Sequence, residues 1–167
     1  MKKYVAYTSV GASTVRGQKT PGLVSKLRQL LANVDLGKFA RVKKSEFISL
    51  LDAETDAIRR RMPAGTQYWG IARKVLNIFL RGALYNIYLR QKFSLAPLEY
   101  LLEIPLDSLI VAGIKDRSPG RSLPRWKGVK HLTEEASAVF QKRALEIASE
   151  QKLPRVHLDI YLWLDRD

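Results

Sequence analysis

The sequence predicts an all-α protein folded as one compact, multi-helix domain. First, 167 residues with 46% hydrophobic side chains suffice for the core of a single domain and make two independent domains unexpected. Second, apolar residues recur three and four positions apart over several long segments, which is the spacing of one helix face. Third, capping residues precede these segments, and Pro or Gly residues follow them. We therefore expect one helical domain over residues 1–167.

The N-terminal segment, residues 1–22, is predicted to form an irregular basic arm. Residues 8–22 are rich in small, hydroxyl-bearing and basic side chains, a composition typical of loops. Such an arm can give backbone N–H groups, hydroxyls and the Arg16 side chain to phosphates, or it can be a flexible tail. An apolar stripe from Leu23 to Val34 then predicts the first helix.

The middle of the chain contains a long helix pair and a short third helix. Ser45 is the expected N-cap of a helix that runs to Arg61, and Pro63 ends it. The central helix of the protein is expected over residues 67–92. A short helix through residues 94–102 follows.

The C-terminal part contains two well-marked helix starts. Asp107 is well placed to cap a helix over residues 108–115, and Thr133 to cap a helix that extends to about Glu150. Residues 116–131, between these helices, form a loop rich in Pro, Gly and Arg. We expect this loop to cover part of the molecular surface.

The last segment gives conflicting signals. Residues 154–165 alternate apolar and polar side chains, which is the period of a strand. Pro154, however, fits the first turn of a helix. Because the preceding elements are all helical, we predict a helix for residues 154–165.

Charge is the most informative property of the sequence. The chain has 29 Lys and Arg against 16 Asp and Glu, a formal net charge of +13. Residues 57–98 carry eight basic side chains and no acid. Within the central helix, Arg73, Asn77 and Arg81 stack four apart on one face, opposite the apolar face, and Lys74 lies at the edge. Since solvated helix faces usually mix both signs, a purely cationic face indicates an anionic partner such as a duplex phosphate backbone.

Two further acid-poor regions support this interpretation. One precedes the first acid, Asp35, and the other spans residues 115–130, where Asp116 is the single acid. If the three regions share one surface, they give the electrostatic footprint of a nucleic-acid-binding protein. An anionic membrane could use the same charge, but no apolar run approaches the ~20 residues of a spanning helix. We therefore expect a nucleic acid as partner, double-stranded DNA first, and no membrane; the sequence leaves the oligomeric state open.

The residue inventory limits the chemistry. Because the chain has no cysteine, it can form no disulfide, thiolate nucleophile, zinc knuckle or iron–sulfur cluster. With His131 and His157 as the two histidines, a His-rich metal site is not expected. We predict neither a metal nor a cofactor. The N-terminus lacks the apolar core of a secretory signal, so a cytoplasmic protein is expected.

Lys74 and Asp107 are the two candidates for catalysis. Like charge from Arg73, together with desolvation, would disfavour the ammonium form of Lys74 and free a nucleophilic amine. Most lysines in such positions simply extend their amine into water. A carboxylate at a helix N-terminus, such as Asp107, is held ionised and oriented, but it is also an ordinary cap.

Two short motifs together resemble the helix-hairpin-helix DNA glycosylases. In the endonuclease III-like pattern of that superfamily, a Gly-Val-Gly-Arg-Lys type hairpin is followed by a Val-Asp-Thr type aspartate. The present chain has Gly70-Ile71-Ala72-Arg73-Lys74 and Leu106-Asp107-Ser108. The 33-residue separation of Lys74 and Asp107 is similar to the longer insertion of the archaeal 8-oxoguanine glycosylase branch. The resemblance covers residues 60–165, and the chain departs from it at Trp69 and Ala72, where the family has Pro and Gly.

The resemblance implies a compact helical fold and a base-excision enzyme acting on DNA. Lys74 would attack the sugar C1′ of a damaged nucleotide and form a Schiff base, and Asp107 would stabilise the developing positive charge and assist deprotonation. The base would be flipped into a pocket, with stacking from Trp69, Trp126 or Tyr85. The residues expected to bind the nucleic acid are Arg16, Trp69, Gly70, Arg73, Asn77, Arg81, Arg125, Trp126 and Lys127.

Two alternatives remain open from the sequence. In the first, the protein is a non-catalytic DNA- or RNA-binding protein, in which Asp107 only caps its helix. In the second, it is a nuclease that uses scattered carboxylates or the two histidines; the carboxylates considered are Asp52, Glu54, Asp56 and Asp159.

Overall fold

The computed structural model describes residues 1–18 and 20–164, and every regular element in this part of the chain is helical. The all-α prediction is therefore confirmed. The α-helices of the described residues are α1 (Lys2–Ser9), α2 (Leu23–Asn33), α3 (Leu36–Arg41), α4 (Phe47–Arg61), α5 (Trp69–Tyr85), α6 (Ile87–Phe93), α7 (Ser108–Asp116), α8 (Glu134–Glu150) and α9 (Leu158–Leu164). Short 3₁₀ turns lie at Lys44–Glu46, Ala96–Tyr100, Val129–His131 and Arg155–His157. The predictions for Lys19 and residue 165 lie outside the described residues.

Two of the three helix starts with a predicted cap lie where the sequence places them. The Ser45 cap is wrong, because Ser45 lies inside the 3₁₀ turn Lys44–Glu46 and α4 begins at Phe47. Asp107 caps α7 through its side chain, and Thr133 caps α8 by accepting a hydrogen bond from the backbone N–H of Ala136 at 3.2 Å. The final segment is helical as predicted, since the 3₁₀ turn Arg155–His157 follows Pro154 and leads directly into α9. The apolar and polar residues of this segment alternate as in a strand because a helix of about two turns is too short to establish the helical spacing.

The central helix is shorter than predicted. The sequence indicates one helix over residues 67–92, but α5 ends at Tyr85 and α6 begins at Ile87. Asn86 separates the two helices with φ −80° and ψ 111°, outside the helical region, and its side chain accepts a hydrogen bond from the backbone N–H of Leu89 at 3.1 Å. The chain therefore turns at Asn86, because this residue works better as the N-cap of a new helix than as a member of a continuing one.

The predicted arm is wrong for its first part. Residues 2–9 form α1, which packs against α2 and α5 and buries Val5, Ala6 and Ser9. The approach to α5 is close, because a Cβ added at Gly82 would lie 3.0 Å from a Val5 methyl carbon. Residues 10–18 and 20–22 are irregular as expected, yet they are tied to the core by buried Val10 and Val15. Because Val10, Val15 and α1 all pack in the core, the N-terminal segment is part of the domain.

Two hydrophobic clusters make up the core. The first is formed mainly by α1 to α6, and the second by α7, α8, α9 and the residues that lead into them. Helix α5 lies between them: it packs on α1, α2 and α4 on one side, and on α8 and the 3₁₀ turn Val129–His131 on the other. A cleft opens where the two clusters meet.

Candidate active site

A cleft between α1, α5, α7 and α9 has a volume of about 590 Å³. Helix α5 forms its floor. Its lining residues are Thr8 and Ser9 from α1; Lys74, Ile78, Arg81, Gly82 and Tyr85 from α5; Pro105, Asp107, Leu109 and Ile110 at and before α7; and Asp159 and Ile160 from α9. The α5 residues recur at helical spacing and form one face.

Lys74 and Asp107 lie together in this cleft. The Nζ atom of Lys74 is 3.6 Å from Oδ2 of Asp107, and the Lys74 side chain is 12% exposed against 38% for Asp107. The lysine amine therefore sits at the wall of the cleft with little access to bulk water. The two residues are 33 positions apart in the chain, and it is the packing of α7 beside α5 that brings them together.

The two oxygens of Asp107 have different surroundings. Oδ1 accepts hydrogen bonds from the backbone N–H groups of Leu109 and Ile110, at 3.0 and 3.1 Å, and so caps α7. Oδ2 faces the amine of Lys74. Capping and catalysis, which the sequence presents as alternatives, are thus compatible, because each uses a different oxygen.

An ion pair closes one side of the cleft. Arg81 of α5 binds the carboxylate of Asp159 of α9. Burial lowers the pKa of Arg81, and this effect outweighs the opposing influence of Tyr85 and Asp107. From the sequence, Asp159 is a candidate only as a nuclease carboxylate, because nothing in the local sequence indicates that it faces Arg81.

A hydrogen-bonded chain of three side chains stands at the end of the cleft away from Lys74. Tyr85, which lines the cleft, has its hydroxyl 2.7 Å from Nδ1 of His157, and Nε2 of His157 is 2.7 Å from Oε1 of Glu99. Burial raises the pKa of Tyr85, although the charge of Arg81 opposes this effect. Arg90 of α6 pairs with the other oxygen of Glu99.

The predicted cationic face of the central helix is wrong. Arg73 and Asn77 are only 4% and 2% exposed, and both are committed to Glu103. Arg73 donates Nε and Nη2 to the two oxygens of Glu103 at 2.8 and 3.0 Å, and Nη1 to Asp52 at 2.7 Å; Asn77 donates to Glu103 at 2.9 Å. A guanidinium held by two carboxylates inside the protein cannot bind a phosphate.

The same network removes the expected effect of the Arg73 charge on the amine of Lys74. Because Arg73 is neutralised by Glu103 and Asp52, it is not an unpaired positive neighbour of Lys74. Burial alone would raise the pKa of Glu103, but the hydrogen bonds and charge of Arg73, with help from Asn77 and Arg155, bring it below its ordinary value. The open face of α5 is instead the one that carries Lys74, Arg81 and Tyr85.

The N-terminus of α5 is covered. Gly70 is buried under the 3₁₀ turn Val129–His131, so closely that a Cβ at this position would lie 2.2 Å from the carbonyl oxygen of Val129. Trp69 is partly buried, and the Arg73 guanidinium carbon lies 5.1 Å from its ring centre. Neither residue is presented to a ligand as the sequence predicts, because the loop before α8 occupies that space.

The remaining predicted binding residues lie on the surface. Arg125 and Lys127 are exposed on either side of Trp126, whose indole N–H donates to the hydroxyl of Ser108 at 3.0 Å. Since Ser108 follows Asp107, this contact holds the basic loop next to the cleft. Arg16 is exposed in the irregular segment after α1.

The carboxylates of the nuclease interpretation are dispersed. Asp52 is bound to Arg73, Asp56 to Arg59 and Asp159 to Arg81. Among residues 1–18 and 20–164, no three His, Asp or Glu side chains are grouped closely enough to hold a metal ion. Within the same residues, no helix has the length and apolar character needed to cross a membrane.

Comparisons with known proteins leave the site to be interpreted on its own geometry. No family model matches the chain, and neither the curated proteins nor the solved structures give a significant match.

Proposed function

We propose that the protein is a DNA glycosylase with AP lyase activity, in which Lys74 is the nucleophile and Asp107 the assisting carboxylate. The observation that carries this proposal is the placement of both side chains in one cleft, 3.6 Å apart. Short sequence motifs alone point to Lys74 and Asp107. Neither motif by itself requires two side chains 33 positions apart in the chain to meet. Their contact is the geometry that such a reaction needs.

The proposed reaction uses both residues. The Nζ lone pair of Lys74, once its ammonium has given up a proton, forms a bond to the sugar C1′, and the bond from C1′ to the base breaks with its electron pair leaving on the base. Asp107 stabilises the positive charge that develops on the sugar. The attacking nitrogen then loses a proton and the departing base gains one. Opening of the sugar ring, with a proton taken up by the ring oxygen, gives a Schiff base between Lys74 and C1′, and removal of a proton from C2′ lets the 3′ phosphate leave by β-elimination.

The arrangement of Asp107 suits this role. Because Oδ1 is fixed by two backbone N–H groups, Oδ2 is held in one orientation toward the cleft without the cost of ordering it at each turnover. The positive end of the α7 dipole attracts the negative charge of this side chain. An ionised acceptor next to Lys74 is also able to receive its proton.

Binding of DNA is assigned to the basic surface beside the cleft. Arg125 and Lys127 project from the loop that Trp126 attaches to Ser108, one residue from Asp107. Exposed cations at this place can hold the phosphates of a strand whose nucleotide enters the cleft. Arg16 is the corresponding candidate on the other side, because α1 contributes Thr8 and Ser9 to the cleft wall.

Borohydride trapping tests the proposal directly. The full chain is incubated with a duplex that contains one abasic site, in the presence of borohydride, which reduces a Schiff base to a stable covalent adduct. We expect a protein–DNA adduct and strand cleavage with the unmodified chain, and neither with Lys74→Gln. The matched control is Lys142→Gln, which changes an exposed lysine of α8 outside the cleft and should trap normally.

The outcomes separate the proposal from its alternative. Binding of the duplex by Lys74→Gln should persist, since one amide replaces one amine among many cationic groups. An unmodified chain that binds the duplex with no adduct and no cleavage would establish a non-catalytic binding protein. Cleavage without any adduct would instead favour a nuclease.

A further inference from the structure

The chain of Glu99, His157 and Tyr85 at the end of the cleft has no role in the reaction described above. Both ring nitrogens of His157 are engaged, by the Tyr85 hydroxyl and by Glu99, each at 2.7 Å. The Tyr85 and His157 rings are also nearly parallel, with an angle of 20° and centres 5.5 Å apart. Two short hydrogen bonds and ring contact hold this tyrosine more firmly than a side chain at the rim of a cleft requires.

Tyr85 is well placed to meet a bound nucleotide. It lies on the same face of α5 as Lys74, eleven residues further along, which corresponds to about 16 Å at the rise of an α-helix. A nucleotide whose sugar lies at Lys74 and whose base points along α5 therefore extends toward Arg81 and Tyr85. A direct contact or one bridging water would join the hydroxyl of Tyr85 to the edge of the base.

The direction of the hydrogen bonds follows from Glu99. A carboxylate accepts only, so Nε2 of His157 carries the proton that is donated to Glu99. In the neutral ring, Nδ1 is then an acceptor, and the Tyr85 hydroxyl must donate to it. Because burial raises the pKa of Tyr85, the phenol retains the proton that this arrangement needs. The phenol oxygen presents only lone pairs to the cleft.

Protonation of His157 would reverse this pattern. Both nitrogens then donate, so Nδ1 gives its hydrogen to the phenol oxygen and the Tyr85 hydroxyl hydrogen is released toward the cleft. The charged groups linked to this chain come from four elements. Glu99 of the 3₁₀ turn Ala96–Tyr100 contacts His157, and Arg90 of α6 pairs with Glu99. Arg81 of α5, whose charge acts on Tyr85, pairs with Asp159 of α9.

We propose that Tyr85 contacts the flipped base through its hydroxyl, and that His157, held by Glu99, determines whether this hydroxyl accepts or donates a hydrogen bond. This inference rests on the proposed glycosylase function. At neutral His157 the cleft favours a base that presents an N–H group toward Tyr85, and after protonation it favours a base that presents a lone pair. Tyr85 is thus a specificity-determining residue, and His157 is a positioning residue that acts through it.

The test compares two substrates that differ only in the base. A duplex with an abasic site has no base for Tyr85 to contact, whereas duplexes from a panel of oxidised, deaminated and alkylated bases do. Tyr85→Phe removes the hydroxyl and keeps the ring. We expect Tyr85→Phe to slow release of the preferred base by roughly three- to tenfold more than it slows cleavage at the abasic site, which is the value of one neutral hydrogen bond.

Two variants of His157 isolate its effect. Asn places a polar atom near the position of Nδ1, and Gln near that of Nε2, so His157→Asn can still accept from Tyr85 while His157→Gln reaches only Glu99. We expect His157→Asn to retain the base preference at neutral pH and His157→Gln to lose it. Both variants should lack the change in base preference that the unmodified chain shows as the pH falls.

A measurement without substrate checks the hydrogen bonds themselves. In ¹⁵N NMR of the histidine rings, Nδ1 of His157 should have the shift of an unprotonated, hydrogen-bonded nitrogen at neutral pH and should respond to Tyr85→Phe, while exposed His131 serves as the control. A His157 ring whose Nδ1 shift ignores Tyr85→Phe would overturn the inference. So would equal base release by the unmodified chain and Tyr85→Phe, or release of no base from the panel by a chain that cleaves abasic sites. Failure of the proposed function is read separately, as absence of trapping at the abasic site.

Discussion

At the scale of single residues, the two carboxylate oxygens of Asp107 make two different contacts. Its Oδ1 satisfies two backbone N–H groups at the start of α7, and its Oδ2 faces Lys74. A variant that preserves the first contact and removes the charge from the second can therefore separate the two roles.

Asp107→Asn is that variant. Because Asn caps helices nearly as well as Asp, we expect a change in the free energy of unfolding of only a few tenths of a kcal/mol. Strand cleavage at an abasic site should be lost, because the neutral amide neither accepts a proton nor stabilises positive charge. Thermal unfolding and a cleavage assay measure the two effects. Asp107→Ala is the comparison, and it should lose activity and also about 1 kcal/mol of stability. Full activity in Asp107→Asn would reduce Asp107 to a cap.

Glu103 is the residue on which the buried network depends. It is 4% exposed and accepts hydrogen bonds from Arg73 and Asn77. Its pKa in the folded protein lies below the ordinary value of 4.5, so its ionised form stabilises the fold at higher pH. That contribution is complete above the unfolded-state pKa and is lost as the pH falls from about 4.5 through the folded-state pKa.

Glu103→Gln tests this pH dependence. The substitution leaves the Arg73 charge with Asp52 alone, and we expect a loss of about 3–5 kcal/mol in the free energy of unfolding at pH 7. Urea unfolding over pH 3–7 should show a shallower acid decline for the variant than for the unmodified chain. The control variant Glu54→Gln, at a half-buried glutamate outside this network, should leave that decline unchanged. If the free energy of unfolding fell equally steeply with pH in Glu103→Gln and in the unmodified chain, Glu103 would not be the source of this pH dependence.

At the scale of elements, signals within one turn of a boundary are readable from sequence, and partners far away in the chain are not. The caps of α7 and α8 involve atoms two or three residues apart, and they are predicted correctly. The acid-free stretch 57–98 suggests an unpaired cationic face, yet Asp52 and Glu103 lie just beyond its two ends and fold back onto Arg73. The network therefore depends on tertiary packing that no local pattern records.

The candidate site shows the same division. Lys74 and Asp107 follow from short motifs, and the structure brings them into contact. The cleft face of α5 is formed by positions 74, 78, 81 and 85, which recur at helical spacing and could be read from the sequence. The charge pattern of Arg73, Asn77 and Arg81 instead predicts a different face. Asp159 reaches the cleft, and His157 and Glu99 connect to it through Tyr85, all from distant segments, so only the fold reveals them.

The contact between the N-terminus of α5 and the loop before α8 gives a prediction at this scale. In an open helix, Gly→Ala would stabilise by up to ~1 kcal/mol. At Gly70, however, the new methyl carbon would lie 2.2 Å from the Val129 carbonyl oxygen, and that backbone cannot easily move. We expect Gly70→Ala to destabilise by about 1–3 kcal/mol in urea unfolding. Gly82→Ala, which meets one Val5 methyl at 3.0 Å, should cost less. Stabilisation by Gly70→Ala would contradict the packing described.

At the scale of the whole molecule, the net charge is +13. Among the described residues, some surface cations form salt bridges and others do not. Arg121 is bound to Glu146, whereas Arg125 and Lys127 have no such ion pair. The distinction matters for DNA binding, because a cation already neutralised by a carboxylate releases fewer counterions when it meets a phosphate.

Salt dependence of DNA affinity measures this distinction. We expect log Kd for an abasic-site duplex to vary linearly with log salt concentration. Each of Arg125→Gln and Lys127→Gln should reduce the slope by about one unit. Arg121→Gln is the matched control and should change it less. Fluorescence anisotropy over a salt series supplies the slopes, and an affinity that does not vary with salt would remove the electrostatic basis of the binding surface.

Helix α5 belongs to both hydrophobic clusters, and this affects how the molecule opens. Ala72, Leu76 and Phe79 are fully buried in the first cluster, while Trp69 packs on the second. Neither half can detach without exposing apolar surface of the same helix, so the amide hydrogens in the middle of α5 exchange with solvent only when the whole domain unfolds. We therefore expect Lys74 to stand on the slowest-exchanging helix of the protein. Under the proposed function, a nucleotide would be received by movement of the surrounding walls, while Lys74 stays fixed.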